Sequence, residues 1–340
     1  DDEEKSLALL YRESATWGIG HGCAAAWDSG PGEAPTVVYA DVMPAVHLPS
    51  MTPNITDAQG NKIQLSMRQL ASLSEDGNGP AWQSLENLAT EYQAWISRCR
   101  EKAKSLEPNL SAVARRHLDQ CDECLKRINR GIELLRDPQN ARVRKAFKLA
   151  NLAMLLQQIS TKQLGRRPLE RVAAPPWVRP AGQHRSPWSI YQAREEASTL
   201  GSWRAFQIAF LLMSLEGLCD GRSEDREIVD LIWFPTGGGK TEAYLAAMAF
   251  YMFHERLLMQ EPGLRRDGTN VLMRYTLRML TTQQFQRAAS LICAMEYLRR
   301  EPAAHGLGII PGERFSLGLW IGNDGSPNKV EGARRELNAF

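Results

Sequence analysis

Lys240 and Thr241 are the residues of this chain with the clearest capacity for chemistry. They follow three consecutive glycines in the stretch LIWFPTGGGKTEAYL, Leu231 to Leu245. A phosphate chain is held by a ring of backbone N–H groups at a helix N-terminus. Gly237, Gly238 and Gly239 lack the Cβ atoms that would block close approach and left-handed dihedrals there. Lys240 supplies a mobile ammonium for the β- and γ-phosphates, and the Thr241 hydroxyl is placed to ligate the magnesium ion that accompanies them. With Thr236 opening the loop, the pattern predicts a nucleoside triphosphate site whose cofactors are ATP and Mg2+. The strict spacing G-x-x-x-x-G-K-[ST] is not met, because Phe234 stands where the first glycine belongs. Glycines that merely close a strand-to-helix turn are the structural alternative, and they leave the Lys-Thr pair and the preceding apolar run unexplained.

Two smaller clusters also carry reactive side chains. His117, Cys121 and Cys124 form H-x-x-x-C-x-x-C, which on a helix puts three soft ligands on one face. Zinc takes four ligands, and buried helix cysteines are the competing explanation. His21 and Cys23 in GHGC pair an imidazole with a thiol but have no legible third member.

The loop needs elements to position it. From Trp203 onward, a helix in WRAFQIAFLLMSLEGL precedes a strand in EIVDLIWF, the glycine loop, a helix in KTEAYLAAMAFYMFHERLL, a strand in NVLMRYT, a helix in LTTQQFQRAASLICAMEYLRR and a strand in RFSLGLWIG. This alternation predicts an α/β fold, a parallel sheet with crossover helices and the glycine loop at the carboxyl end of a strand. Upstream, residues 1–63 read as a mixed region and 64–164 as a helical domain. In the latter, Leu85, Leu88, Tyr92, Trp95 and Ile96 fall on one helix face. Residues 165–202, with Pro168, Pro175, Pro176, Pro180 and Pro187, read as a Pro/Arg-rich linker. Residues 203–340 carry the nucleotide site.

The form FPTGGGKT resembles motif I of superfamily 2 helicases and translocases. That resemblance implies a first RecA-like P-loop NTPase lobe over 203–340. It further implies that Gln207, 33 residues before Lys240, reads an adenine edge, and that MRYTLRMLTTQQFQRA is motif Ia. Thr276 and Arg278 would then lie against the phosphate backbone of DNA. Residues 263–300 hold seven arginines against one aspartate and one glutamate, a local surface suited to that contact. The run from Trp203 to Asn328, with GHGCAAAW and KAFKLANLAMLLQQ upstream, is similar to the DrmA type of helicase of the DISARM anti-phage system. Membership implies an ATP-dependent DNA motor working with a partner subunit and with methylase and nuclease-like components. An Asp-Glu motif and a second lobe with an arginine finger are absent after Lys240, so the chain reads as the N-terminal part of a longer protein, inactive in hydrolysis by itself. A non-motor ATP-binding switch and a motor subunit of another restriction-type nuclease complex are the alternatives.

Composition bounds the rest. The 340 residues carry 41 Lys+Arg against 39 Asp+Glu, so attraction to nucleic acid must come from local patches rather than net charge. Six scattered cysteines suit a reducing compartment and point to the cytoplasm. The acidic start DDEEK is unlike a signal peptide, and no apolar run approaches the ~20 residues that a membrane helix requires.

Overall fold

The computed structural model describes residues 2–12, 16–29, 33–43, 55–57, 59–165, 169–173, 178–182, 185–233, 238–259, 268–275, 278–319 and 329–339. In chain order, α1 (Asp2–Leu10) precedes a hairpin of β1 (Ala24–Trp27) and β2 (Val38–Asp41), in which Ala24 pairs with Asp41 and Trp27 with Val38. Four helices follow: α2 (Met67–Ala71), α3 (Pro80–Ala103), α4 (Pro108–Arg136) and α5 (Ala141–Gln158), the last continued by a π-helical turn at Ile159–Leu164. Strands β3 (Leu169–Arg171) and β4 (Val178–Pro180) make a second antiparallel hairpin. The rest is helical: α6 (Pro187–Ala193), α7 (Ala205–Cys219), α8 (Lys240–Leu258), α9 (Arg278–Arg300), α10 (Pro302–His305) and α11 (Val330–Ala339).

Helix α5 is the axis of the core. Every residue from Leu149 to Gln158 is buried, so the helix is enclosed on all faces, as its nearly unbroken apolar sequence requires. Helices α2, α4, α8 and α9 pack around it. Three of its buried polar side chains, Arg144, Asn151 and Gln158, are hydrogen-bonded, as such burial favours. Asn151 Nδ2 donates to the Phe147 carbonyl at 2.9 Å, and Asn151 Oδ1 accepts from Trp203 Nε1 at 2.8 Å. Gln158 Oε1 accepts from the Gly201 N–H at 2.9 Å. Buried Arg144 donates to the Leu135 carbonyl at 2.9 Å, satisfying an orphan acceptor at the end of α4 and placing a cation at the negative end of its dipole.

Helix α4 meets α7 at Gly131. A Cβ there would lie 2.2 Å from the Leu212 carbonyl oxygen, so this crossing needs a residue with no side chain. One turn away, buried Arg127 grips the chain that leads to the glycine loop. Its Nη1 and Nη2 donate to the two Asp230 carboxylate oxygens at 2.7 and 2.8 Å, and its Nε donates to Asp225 at 3.1 Å. The hydrogen bonds to Asp230 chiefly raise the guanidinium's proton affinity, against the opposing effect of burial. On α3, Leu85, Leu88 and Ile96 are buried as the helical spacing predicts, while Trp95 is 45% exposed and stacks on Tyr92. Within the Pro/Arg-rich range, Trp188 and Ile190 of α6 enter the same core.

One expectation is overturned. Residues 203–340 do not form a RecA-like lobe: the described residues contain no parallel sheet, and their strands form only the two antiparallel hairpins. Among the described residues, the segments read as strands at 227–234, 270–276 and 314–322 pair with nothing in a ladder. Their β-branched and aromatic content fits a pleated, half-buried surface, but a strand is stabilised by cross-strand partners and by burial. Here no partner strand is present among the described residues, and Val229 is 94% exposed, Leu231 86% and Leu272 79%; Phe315, which is buried, packs edge-on against Phe253 of α8 and not in a sheet. Helices α8 and α9 pack on α5, and α7 packs on α4 and α8, instead of on a sheet.

Candidate functional site

The glycine loop ends at the N-terminus of α8. Gly239 precedes the helix in the left-handed region, at φ 82° and ψ 28°, a conformation that costs a residue with a Cβ roughly 1–2 kcal/mol. Its surroundings exclude a side chain independently, since an added Cβ would lie 2.6 Å from Gln207 Nε2 and 3.4 Å from Glu242 Oε2.

Two residues at the start of α7 hold the loop. Gln207 is buried; its Nε2 donates to the Gly239 carbonyl at 2.8 Å and its Oε1 accepts from the Arg204 N–H at 2.8 Å. The Arg204 guanidinium donates to the Gly238 carbonyl. Because a trans peptide sets its N–H opposite its carbonyl, these contacts turn the Gly239 and Lys240 amides away from α7. Lys240 is half-buried at the first position of α8.

Thr241, next along, is buried, and its Oγ1 accepts from Tyr244 Oη at 3.0 Å. One turn of helix separates the two residues, the spacing that brings side chains together on a helix face. Tyr244 Oη is in turn 2.9 Å from Tyr275 Oη. Burial pushes the Tyr275 phenol well above its ordinary range, and the hydrogen bond with Tyr244 adds to the shift. Buried Glu242 pairs through Oε1 with Arg287 of α9, while its Oε2 has no hydrogen-bond partner among the described residues. A cavity of 300 Å³ opens beside the tyrosines, lined by Tyr244, Met248 and residues 271–275.

The structure thus brings Gln207, Gly238, Gly239, Lys240 and Thr241 to one place. Thr236, Gly237 and Thr276 lie outside the described residues; Arg278 begins α9, and its side chain also falls outside that description. Sequence reasoning missed Arg204, Glu242, Tyr244, Tyr275 and Arg287. The i,i+3 spacing of Thr241 and Tyr244 was a readable signal. The contacts of Arg204, Tyr275 and Arg287 join residues 31 to 45 positions apart, and no local pattern announces them.

At the other candidates, His117 Nε2 is 3.1 Å from Ser6 Oγ, and Cys121 and Cys124 are half-buried free thiols. Burial is the main cause that pushes the Cys124 thiol up. No group of three or more His, Cys, Asp or Glu arranged to hold a metal ion occurs among the described residues. His21 and Cys23 are exposed beside the first hairpin. No helix among the described residues is long and apolar enough to cross a membrane.

No family model matches the chain. Over 345 aligned residues, covering 97% of the chain, it is 33% identical to the DISARM protein DrmA of Bacillus paralicheniformis, which supports a DrmA-like relationship. The chain spans 27% of the length of that relative.

Proposed function

We propose that this chain is the nucleotide-binding part of an ATP-dependent DNA translocase or helicase that serves a DISARM-like anti-phage defence system in the cytoplasm, together with a partner subunit. Its similarity to a DISARM protein supports the place in defence. The observation that carries the nucleotide reading is the tying back of the Gly238 and Gly239 carbonyls by Arg204 and Gln207 at the mouth of a 19-residue helix. That arrangement presets backbone amides and the helix dipole for an anion before any ligand arrives, so little reorganisation opposes binding.

The donor set fits a triphosphate: amides and Lys240 are cationic or donor groups, and Thr241 offers a hydroxyl oxygen. In this reading Lys240 neutralises the β- and γ-phosphates and Thr241 holds the magnesium ion, which when bound offsets phosphate charge. Gln207 keeps one N–H and one lone pair beyond the contacts described, the pair of functions an adenine edge would use. DNA would be met by Thr276 and Arg278. Among the arginines of 263–300, Arg287 and Arg299 are engaged by Glu242 and Glu296, so the phosphate-facing charge falls to the others.

The test is DNA-stimulated ATP hydrolysis by the full-length protein and by its Lys240→Ala variant. Hydrolysis that rises with DNA and drops at least a hundredfold in the variant supports the motor. ATP binding without hydrolysis on any nucleic acid replaces it with a nucleotide-gated switch.

A further inference from the structure

We propose that Tyr244 and Tyr275 form a hydroxyl relay that senses the magnesium ion of a bound nucleoside triphosphate and passes its presence from Thr241 to the segment entering α9. The proposal rests on the triphosphate reading of the glycine loop. Three oxygens stand in line, Thr241 Oγ1, Tyr244 Oη and Tyr275 Oη, at successive separations of 3.0 and 2.9 Å. Each hydroxyl has a single proton and two lone pairs. With Tyr244 donating to Thr241, the proton between the tyrosines is supplied by Tyr275, so the bonds run from Tyr275 to Tyr244 to Thr241.

A cation at Thr241 Oγ1 reverses that order. It takes an oxygen lone pair and repels the proton that Tyr244 presents there. Thr241 then donates its own proton to Tyr244, and Tyr244 donates to Tyr275. No proton leaves its oxygen; each hydroxyl only rotates. The proton of Tyr275 is displaced from the chain beside the 300 Å³ cavity, three positions ahead of the first residue of α9. Meanwhile the Glu242–Arg287 pair holds α8 and α9 together beside the relay, keeping the tyrosines from drifting apart as the direction changes. Tyr244 and Tyr275 are therefore positioning residues. They set the orientation of the Thr241 hydroxyl and report its state, without touching the nucleotide.

The full-length protein can decide this through titrations with a fluorescent ATP analogue in excess magnesium and in EDTA, together with hydrogen exchange over residues 268–287. Tyr244→Phe keeps the ring and removes the oxygen. We expect it to weaken binding about fivefold in magnesium, because a Thr241 hydroxyl polarised by the cation donates a bond about 1 kcal/mol stronger than the one it accepts without it, and less than about twofold in EDTA. In the wild type, exchange over 268–287 changes on adding nucleotide with magnesium. In Tyr275→Phe that change disappears while nucleotide affinity stays within about twofold. Equal weakening of Tyr244→Phe in both media, or an exchange response that survives in Tyr275→Phe, overturns the relay and leaves the triphosphate site standing. A wild type that binds the analogue no better than Lys240→Ala in either medium removes both.

Discussion

At the scale of single residues, a partly buried titratable group favours the protonation state that matches its hydrogen-bond partners. His305 illustrates the principle away from the glycine loop. Its Nε2 is 2.8 Å from the Leu298 carbonyl, and its Nδ1 accepts from the Leu307 N–H at 3.1 Å. Only the neutral tautomer with the proton on Nε2 serves both contacts, since a doubly protonated ring loses its acceptor. Burial holds the pKa of this histidine below the ordinary value, with Lys145 adding to the depression and the Leu298 carbonyl opposing it. The folded state therefore binds this proton less readily than the unfolded chain. Stability from this group is present above the unfolded value of ~6.5 and is lost as pH falls from there through the folded pKa. We expect the thermal midpoint to fall between pH 7.5 and 5.5. The fall should be smaller for His305→Gln, whose amide also donates and accepts but does not titrate. Calorimetry of the two proteins across that range checks the sign.

At the scale of elements, the crossing of α4 and α7 decides how the glycine loop is presented, because α7 carries both Arg204 and Gln207. Their close approach depends on Gly131. Elsewhere in a helix, Gly→Ala stabilises by up to about 1 kcal/mol through backbone entropy. At this crossing the added methyl meets the Leu212 carbonyl oxygen at 2.2 Å, and the backbones must separate. Overpacking of this kind costs about 1–3 kcal/mol, so the clash outweighs the propensity and Gly131→Ala is expected to be destabilising. Chemical denaturation measures the sign directly. The same displacement moves α7 relative to α8, so nucleotide affinity of the full-length protein should fall as well. The second tie to the loop is ionic: Arg127 fixes Asp225 and Asp230, and no apolar pattern in sequence marks that contact.

At the scale of the whole molecule, the helices of 64–164 and those of 203–319 share one apolar core. Leu70, Trp82 and Phe147 from the first range belong to the same cluster as Leu212, Phe250, Phe253 and Phe315 from the second. Helix α5 touches α2 on one side and α8 and α9 on others, so neither range keeps its core when the other unfolds. The expected outcome is a single unfolding transition that coincides by far-UV circular dichroism and by fluorescence of the nine tryptophans, the buried Trp82 and Trp203 among them. Two separated transitions would show independent domains.

Much of the site was legible in the sequence because it is local. Three glycines, a lysine and a threonine in succession specify the left-handed turn at Gly239 and the helix start at Lys240 without help from distant residues. The four helices between residues 65 and 164 were equally legible, because helical periodicity is set by neighbours three and four positions apart. The arrangement of 203–340 was not. Strand-like composition expresses only a preference for a half-buried pleated surface. Whether such a surface exists depends on partners supplied from elsewhere in the chain, and here the described segments find none. The tertiary structure alone decided that α8 and α9 pack on the buried α5 and that α7 packs on α4 and α8. It alone decided that Arg204 and Gln207 hold the glycine loop, and that Tyr275 completes a line of hydroxyls to Thr241. Those contacts join positions tens of residues apart, and only chain packing brings such positions within hydrogen-bond distance.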